Sequence, residues 1–161
     1  MTYPDKVSLG RLAYVIYEHP ELDQFLKFAS DFGFELAGRS NDGEIFLRGY
    51  GPDPYAYIAR QSPADKGKSF CGSGFTALTE MDFKRACGLD GAQVRDISQW
   101  PGGGRMVSVV DVNGYEMQIV YGQEKREVPQ IGVSNVHHGQ PNVNGAVNKA
   151  RKGKPLLNTR I

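Results

Sequence analysis

The side chains able to hold a metal or move a proton are few in this chain and poorly spaced for either task. Its three histidines are His19, His137 and His138. A histidine-based metal site needs several donors converging from separate elements, with carboxylate or thiolate completing the set. His137 and His138 are adjacent with no carboxylate near them in sequence, which offers weak chelation at most. His19 stands before Pro20 and reads as a residue at the start of a helix. Cys71 and Cys87 match no metal-binding spacing and read as buried thiols. Glu18, Glu80 and Glu116 lie in or beside predicted strands as carboxylates a metal could use, but no histidine lies in any predicted strand to join them. No serine, cysteine or histidine stands where it would pair as nucleophile and base. The run GGGR, from Gly102 to Arg105, is no phosphate loop, because no Gly-Lys-Ser/Thr follows and a strand comes next. It reads as a flexible turn shaped by Trp100 and Pro101.

The elements that must position these residues come in a repeated order. A displacement of 61 residues lays GEIFLRGYG, from Gly43, on GRMVSVVDV, from Gly104. It also lays PYAYIAR, ending at Arg60, on YEMQIVY, ending at Tyr121, and RLAYVIY, from Arg11, on GSGFTAL, from Gly72. Three strands in one register mark an internal duplication. Each half also predicts a helix after its first strand. In the first, Leu22, Phe25, Leu26, Ala29 and Phe32 recur at helical spacing, with Pro20 suited to the first turn and Gly33 to the stop. In the second, Thr79 and Asp82 stand at capping-box spacing, Phe83, Ala86 and Cys87 share a face, and Gly88 ends the helix. The expected class is therefore α+β, built from tandem βαβββ repeats over residues 8–62 and 69–123.

Composition bounds the rest. A chain of 161 residues, 40% hydrophobic, supports one packed core. The run from Gly122 to Ile161 carries seven Lys and Arg against two Asp and Glu, so the residues before it are net acidic although the whole chain is +1. Residues 124–161 contain no Phe, Trp or Tyr and predict a basic linker or extended tail. Without aromatic stacking residues or a reading motif, nucleic acid is not expected as a partner. No apolar run approaches the ~18 residues of a membrane span, and the opening MTYPDKVSLGRL lacks a signal-peptide pattern. The expectation is a cytoplasmic protein with no membrane partner.

Two βαβββ units in tandem resemble the vicinal oxygen chelate superfamily of glyoxalases, bleomycin-resistance proteins and extradiol dioxygenases. The stretches LGRLAYVI, GSGFTAL, PGGGRMVSVVDVNG and EMQIVYG resemble, more closely, the amino-terminal module of two-module extradiol catechol dioxygenases, in wording nearest to fungal trihydroxytoluene oxygenase-like or dihydroxybiphenyl dioxygenase-like proteins. The resemblance implies a curved, mixed, eight-stranded sheet around a cup, with two helices on the convex side. It places the superfamily's metal positions at Arg11, Tyr57, Gly72 and Gln118. Arginine does not release its proton, glycine has no side chain and a glutamine carbonyl is a weak donor, so no metal or other cofactor is expected in this chain. Fe(II), in a site of two histidines and one carboxylate, is expected only in a second module. Glu116 shares the parity of Gln118 along its strand. Arg11, Tyr57, Gly72, Glu116 and Gln118 are thus the candidate pocket for an anionic or phenolic ligand, with Arg11 expected to pair with Glu116 or Gln118 so that a fixed guanidinium substitutes for the cation; the alternative is that these groups simply satisfy one another around water.

The leading expectation is a structural rather than catalytic amino-terminal module of an extradiol-dioxygenase-like oxidoreductase of aromatic compounds. A second vicinal oxygen chelate module is its expected partner, as though one were about to follow the terminal KPLLNTRI, and a homodimer its expected assembly. One alternative is a free-standing, dimeric module of the resistance-protein type that binds a small aromatic ligand. Another is a metal-independent isomerase or cyclase in which Arg11, Tyr57 or Glu116 does acid-base or electrostatic work.

Overall fold

The structure is a computed structural model and describes residues 6–128. The His137 and His138 pair and most of the expected tail lie outside the described residues. The elements run β1 (Leu9–His19), α1 (Leu22–Asp31), β2 (Glu35–Arg39), β3 (Ile45–Arg48), β4 (Tyr57–Gln61), β5 (Ser69–Ala77), α2 (Glu80–Cys87), β6 (Gln93–Asp96), β7 (Arg105–Val110) and β8 (Glu116–Tyr121). Each half is strand, helix and three strands, as the duplication requires.

All eight strands join one sheet in the order β2-β3-β4-β1-β5-β8-β7-β6. The halves meet at an antiparallel β1–β5 seam, and each first strand runs parallel to its own half's last strand, β1 with β4 and β5 with β8. Such parallel pairs need a crossover, and each half uses its helix and two middle strands to make it. α1 packs Ala29 against Ile45, Leu47 and Ala59, and α2 packs Phe83 and Ala86 against Ala77, Val107 and Ile119. On the opposite face Tyr14, Ile16, Phe46, Ile58, Met106 and Val120 form one cluster drawn from both halves. That contact needs the sheet to curl away from its helices, so the shared cluster fills the concave side.

The two helices differ in what holds them. Thr79 caps α2 as its spacing predicts, accepting from the Asp82 amide at 3.1 Å, and Gly88 closes the helix. α1 has no side-chain cap at Glu21 and relies on its apolar face. That face is narrower than its periodicity suggests, because Phe32 lies just past the helix and is 73% exposed. The GGGR run is a turn ahead of β7, with Gly102, Gly103 and Gly104 all at positive φ. Cys71 and Cys87 are free and half-buried rather than buried, and burial pushes the Cys71 thiol up.

Candidate functional site

Parity fixes which side chains enter the cup. Tyr14 of β1, Gly74 of β5 and Gln118 of β8 stand in one row across the sheet, as do Ile16, Gly72 and Glu116. A Cβ on Gly74 would lie 2.2 Å from the Tyr14 ring, so only glycine leaves room for that ring to reach across to β8. The Tyr14 hydroxyl donates to Gln118 Oε1 at 2.5 Å, and Gln118 Nε2 donates to Glu116 Oε1 at 2.7 Å. Gly72 has the tighter constraint, since a Cβ there would lie 1.9 Å from the Glu116 carbonyl oxygen.

The chain of partners continues into the first half. Arg60 Nη1 donates to Glu116 Oε2 at 3.1 Å, while its Nε and Nη2 both donate to Glu44 Oε1, at 2.9 and 2.6 Å. Gln118 is fully buried and Glu44 is 5% exposed, whereas Arg60 and Glu116 reach the mouth of an open cleft of about 470 Å³. Glu44 Oε2 is buried and has no hydrogen-bond partner among the described residues. Burial works against the Arg60 charge, yet Glu44 and Glu116 together hold its pKa above the ordinary arginine value. Burial, reinforced by Tyr55 and the Glu116 and Glu44 carboxylates, raises the Tyr14 pKa well above that of a free phenol. Tyr14 therefore stays a donor at any physiological pH.

Of the expected pocket residues, Gly72, Glu116 and Gln118 come together and two do not. Arg11 is at the rim, half-exposed, and ion-pairs with Asp53 rather than with Glu116 or Gln118. The pairing of β1 with β5 is irregular between Leu9 and Tyr14, so alternation counted from Arg11 does not carry through to the cup. Tyr57 faces the other way, packed beneath α1 among Phe25, Phe34 and Leu47. The displacement of 61 residues lays Tyr57 on Gln118, but Ile58 and Arg60 of β4 and Glu116 and Gln118 of β8 face the cup, so only an even displacement matches the faces and 61 is one residue out of register. Arg60 takes the role expected of Arg11. Glu44 and Tyr14 were not among the expected site residues: Glu44 precedes β3 rather than lying in it, and Tyr14 sits in the apolar run LAYVIY of β1, where no polar alternation marks its face.

His19 also departs from expectation. It is the last residue of β1 rather than a helix-start residue, so a histidine does lie in a strand. Its ring is buried, hydrogen-bonds through Nε2 to the Tyr57 hydroxyl at 2.8 Å and stacks on Phe25 at 3.6 Å between centroids. Burial, with repulsion from Lys68, lowers its pKa. It belongs to the convex face under α1 and not to the cup.

The donors in the cup do not fit a divalent cation. Gln118 Oε1 is engaged by Tyr14, both oxygens of Glu116 are engaged, and a metal beside Glu44 or Glu116 would face the Arg60 guanidinium. Among the described residues, no group of three or more His, Cys, Asp or Glu side chains is placed to hold a metal ion. No helix among these residues is long and apolar enough to cross a membrane.

No family model matches the sequence, and no curated protein matches it. Solved structures do match its fold. The Mn(II)-bound glyoxalase from Novosphingobium aromaticivorans is similar at a TM-score of 0.63 and 16% identity, over 79% of this chain and 44% of its own. Homoprotocatechuate 2,3-dioxygenase from Brevibacterium fuscum, in its anaerobic complex with 3,4-dihydroxyphenylacetate, is similar at 0.60 and 16% identity, over 76% of this chain and 40% of its own. A 2,3-dioxygenase from Pseudomonas sp. KL28 is similar at 0.62 and 18% identity, over 80% and 46%. This chain spans less than half the length of each. The curled eight-stranded sheet with two helices is the fold of glyoxalases and extradiol dioxygenases, the vicinal oxygen chelate fold.

Proposed function

We propose that residues 6–128 form a metal-free, structural module of an extradiol ring-cleavage dioxygenase-like protein, of the kind resembled by fungal trihydroxytoluene oxygenase-like sequences. One observation carries this reading. The Arg60 guanidinium lies between Glu44 and Glu116, with Gln118 engaged by Tyr14, so the cup supplies its own cation and leaves no donor set for iron. The fold likeness covers less than half of each dioxygenase, which is consistent with one module among several. On this reading a second vicinal oxygen chelate module supplies the Fe(II) chemistry. The present module contributes a rigid sheet and a surface for that partner or for a second copy of itself. The concave face is filled by its own Tyr14, Tyr55, Phe46 and Trp100, which leaves little apolar room for an aromatic substrate.

The test is elemental analysis of untagged chain incubated with Fe(II), alongside oxygen uptake with a 3-substituted catechol. The expected result is below about a tenth of an equivalent of bound metal and no oxygen uptake by this chain alone. One tightly held metal per chain, or catechol-dependent uptake, overturns the reading.

A further inference from the structure

We propose that the cleft at the mouth of the cup binds a small organic cation, an alkylammonium or guanidinium compound, anchored by Glu44 and Glu116. The charges lining the cleft carry the inference. Glu18, Asp42, Glu44 and Glu116 face it together with Arg60 and Arg95. Glu18 is matched by Lys66 at 2.9 Å, and Asp42 by Arg95 at 3.7 Å. Glu44 and Glu116 share the single guanidinium of Arg60. Among the described residues, pairing the groups in this way leaves one carboxylate's worth of negative charge uncompensated in the wall of the cleft.

The hydrogen bonds locate that deficit. A guanidinium that faces one carboxylate squarely satisfies both of its oxygens. Arg60 does not, because Nη1 is drawn to Glu116 and the remaining Nε and Nη2 both fall on Glu44 Oε1. Glu44 Oε2 is left buried without a donor among the described residues, on a side chain only 5% exposed. A buried charged acceptor without a donor is costly, and a cation bearing N–H groups relieves both the charge and the missing bond. A neutral diol relieves only the bond, and an anion worsens the charge. A bare divalent ion meets the Arg60 guanidinium without the ring of oxygens it requires. An extended amine instead directs N–H donors at the carboxylates while its carbon chain lies along the cleft, whose volume of about 470 Å³ accommodates it.

Calorimetric titration of the whole chain at low ionic strength tests this, with putrescine and agmatine as cations, butanediol as the neutral counterpart and Mn(II) as the metal control. The expected result is saturable binding of at least one amine at about one site per chain, with butanediol and Mn(II) silent. Glu44→Gln is expected to weaken that binding at least ~10-fold, equivalent to about 1.4 kcal/mol. Glu116→Gln reads the same contact should the first variant fail to fold. The proposal is overturned if neither amine binds, if butanediol binds as well as putrescine, or if amine affinity is unchanged in the folded variant. In that last case the amine is held by general surface charge.

Discussion

Arg60 is the only cation among the described residues within ion-pair distance of Glu44 and Glu116. Arg60→Met should therefore strand two partly or wholly buried carboxylates, with an expected loss of about 2–4 kcal/mol in urea unfolding. Glu44→Gln added to that background should recover at least part of the loss, since it removes the more buried charge. Equal, additive losses in the double variant would contradict a shared network. Gly74 belongs to the same scale. An alanine methyl there would intrude on the Tyr14 ring, and Gly74→Ala should cost about 1–3 kcal/mol with a change in the near-ultraviolet circular dichroism of the buried aromatics. Glu116, Gln118 and Gly72 could be placed from the sequence, because one short regular strand and its parallel neighbour keep their parity. Arg11 and Tyr57 could not, because a bulged strand and an odd repeat offset each break the count.

At the scale of elements, α1 is fastened to the sheet through His19. Its buried ring lies between Phe25 of the helix and the Tyr57 hydroxyl of β4. Because burial lowers the folded pKa, the unfolded chain takes up this proton first, near pH 6.5, and protonation favours unfolding. The contribution of this site to stability is thus intact above about pH 6.5 and is lost as pH falls from there through the lowered folded value. A plot of unfolding free energy against pH should slope through that window in the parent chain and flatten in His19→Gln. An unchanged slope would assign the acid sensitivity to other groups. The α2 cap was legible because Thr79 and Asp82 act within one helical turn. So was the Gly33 stop of α1, at positive φ just past the helix. The start of α1, beyond rather than at Pro20, and the strand placement of His19 were not, because β1 continues to the residue before Pro20 and only packing decides where it stops.

Over the whole molecule, the β1–β5 seam and a strap after β8 hold the halves together. The described start of the basic segment runs back across the first half rather than away from it. The Glu124 amide donates to Gly102, and the Arg126 amide to Pro52 at 2.9 Å. Arg126 Nε and Nη2 donate to the carbonyls of Gly51 and Gly49 at 3.0 and 2.8 Å. Arg126→Ala should lower the unfolding free energy by about 1–2 kcal/mol and speed proteolysis in the β3–β4 loop; neither effect would appear if the strap were incidental. The sequence alone determined the duplicated element order, the capped helix, the glycine turn and the face of Glu116 and Gln118. These depend on local periodicity and on contacts within a few residues. Which guanidinium meets Glu116 was decided only by the tertiary structure. β4 and β8 are separated in the sheet by β1 and β5, which in a flat sheet would hold Arg60 and Glu116 about 14 Å apart. The contact at 3.1 Å exists because the sheet curls around a shared core, and that curvature is a property of all eight strands together.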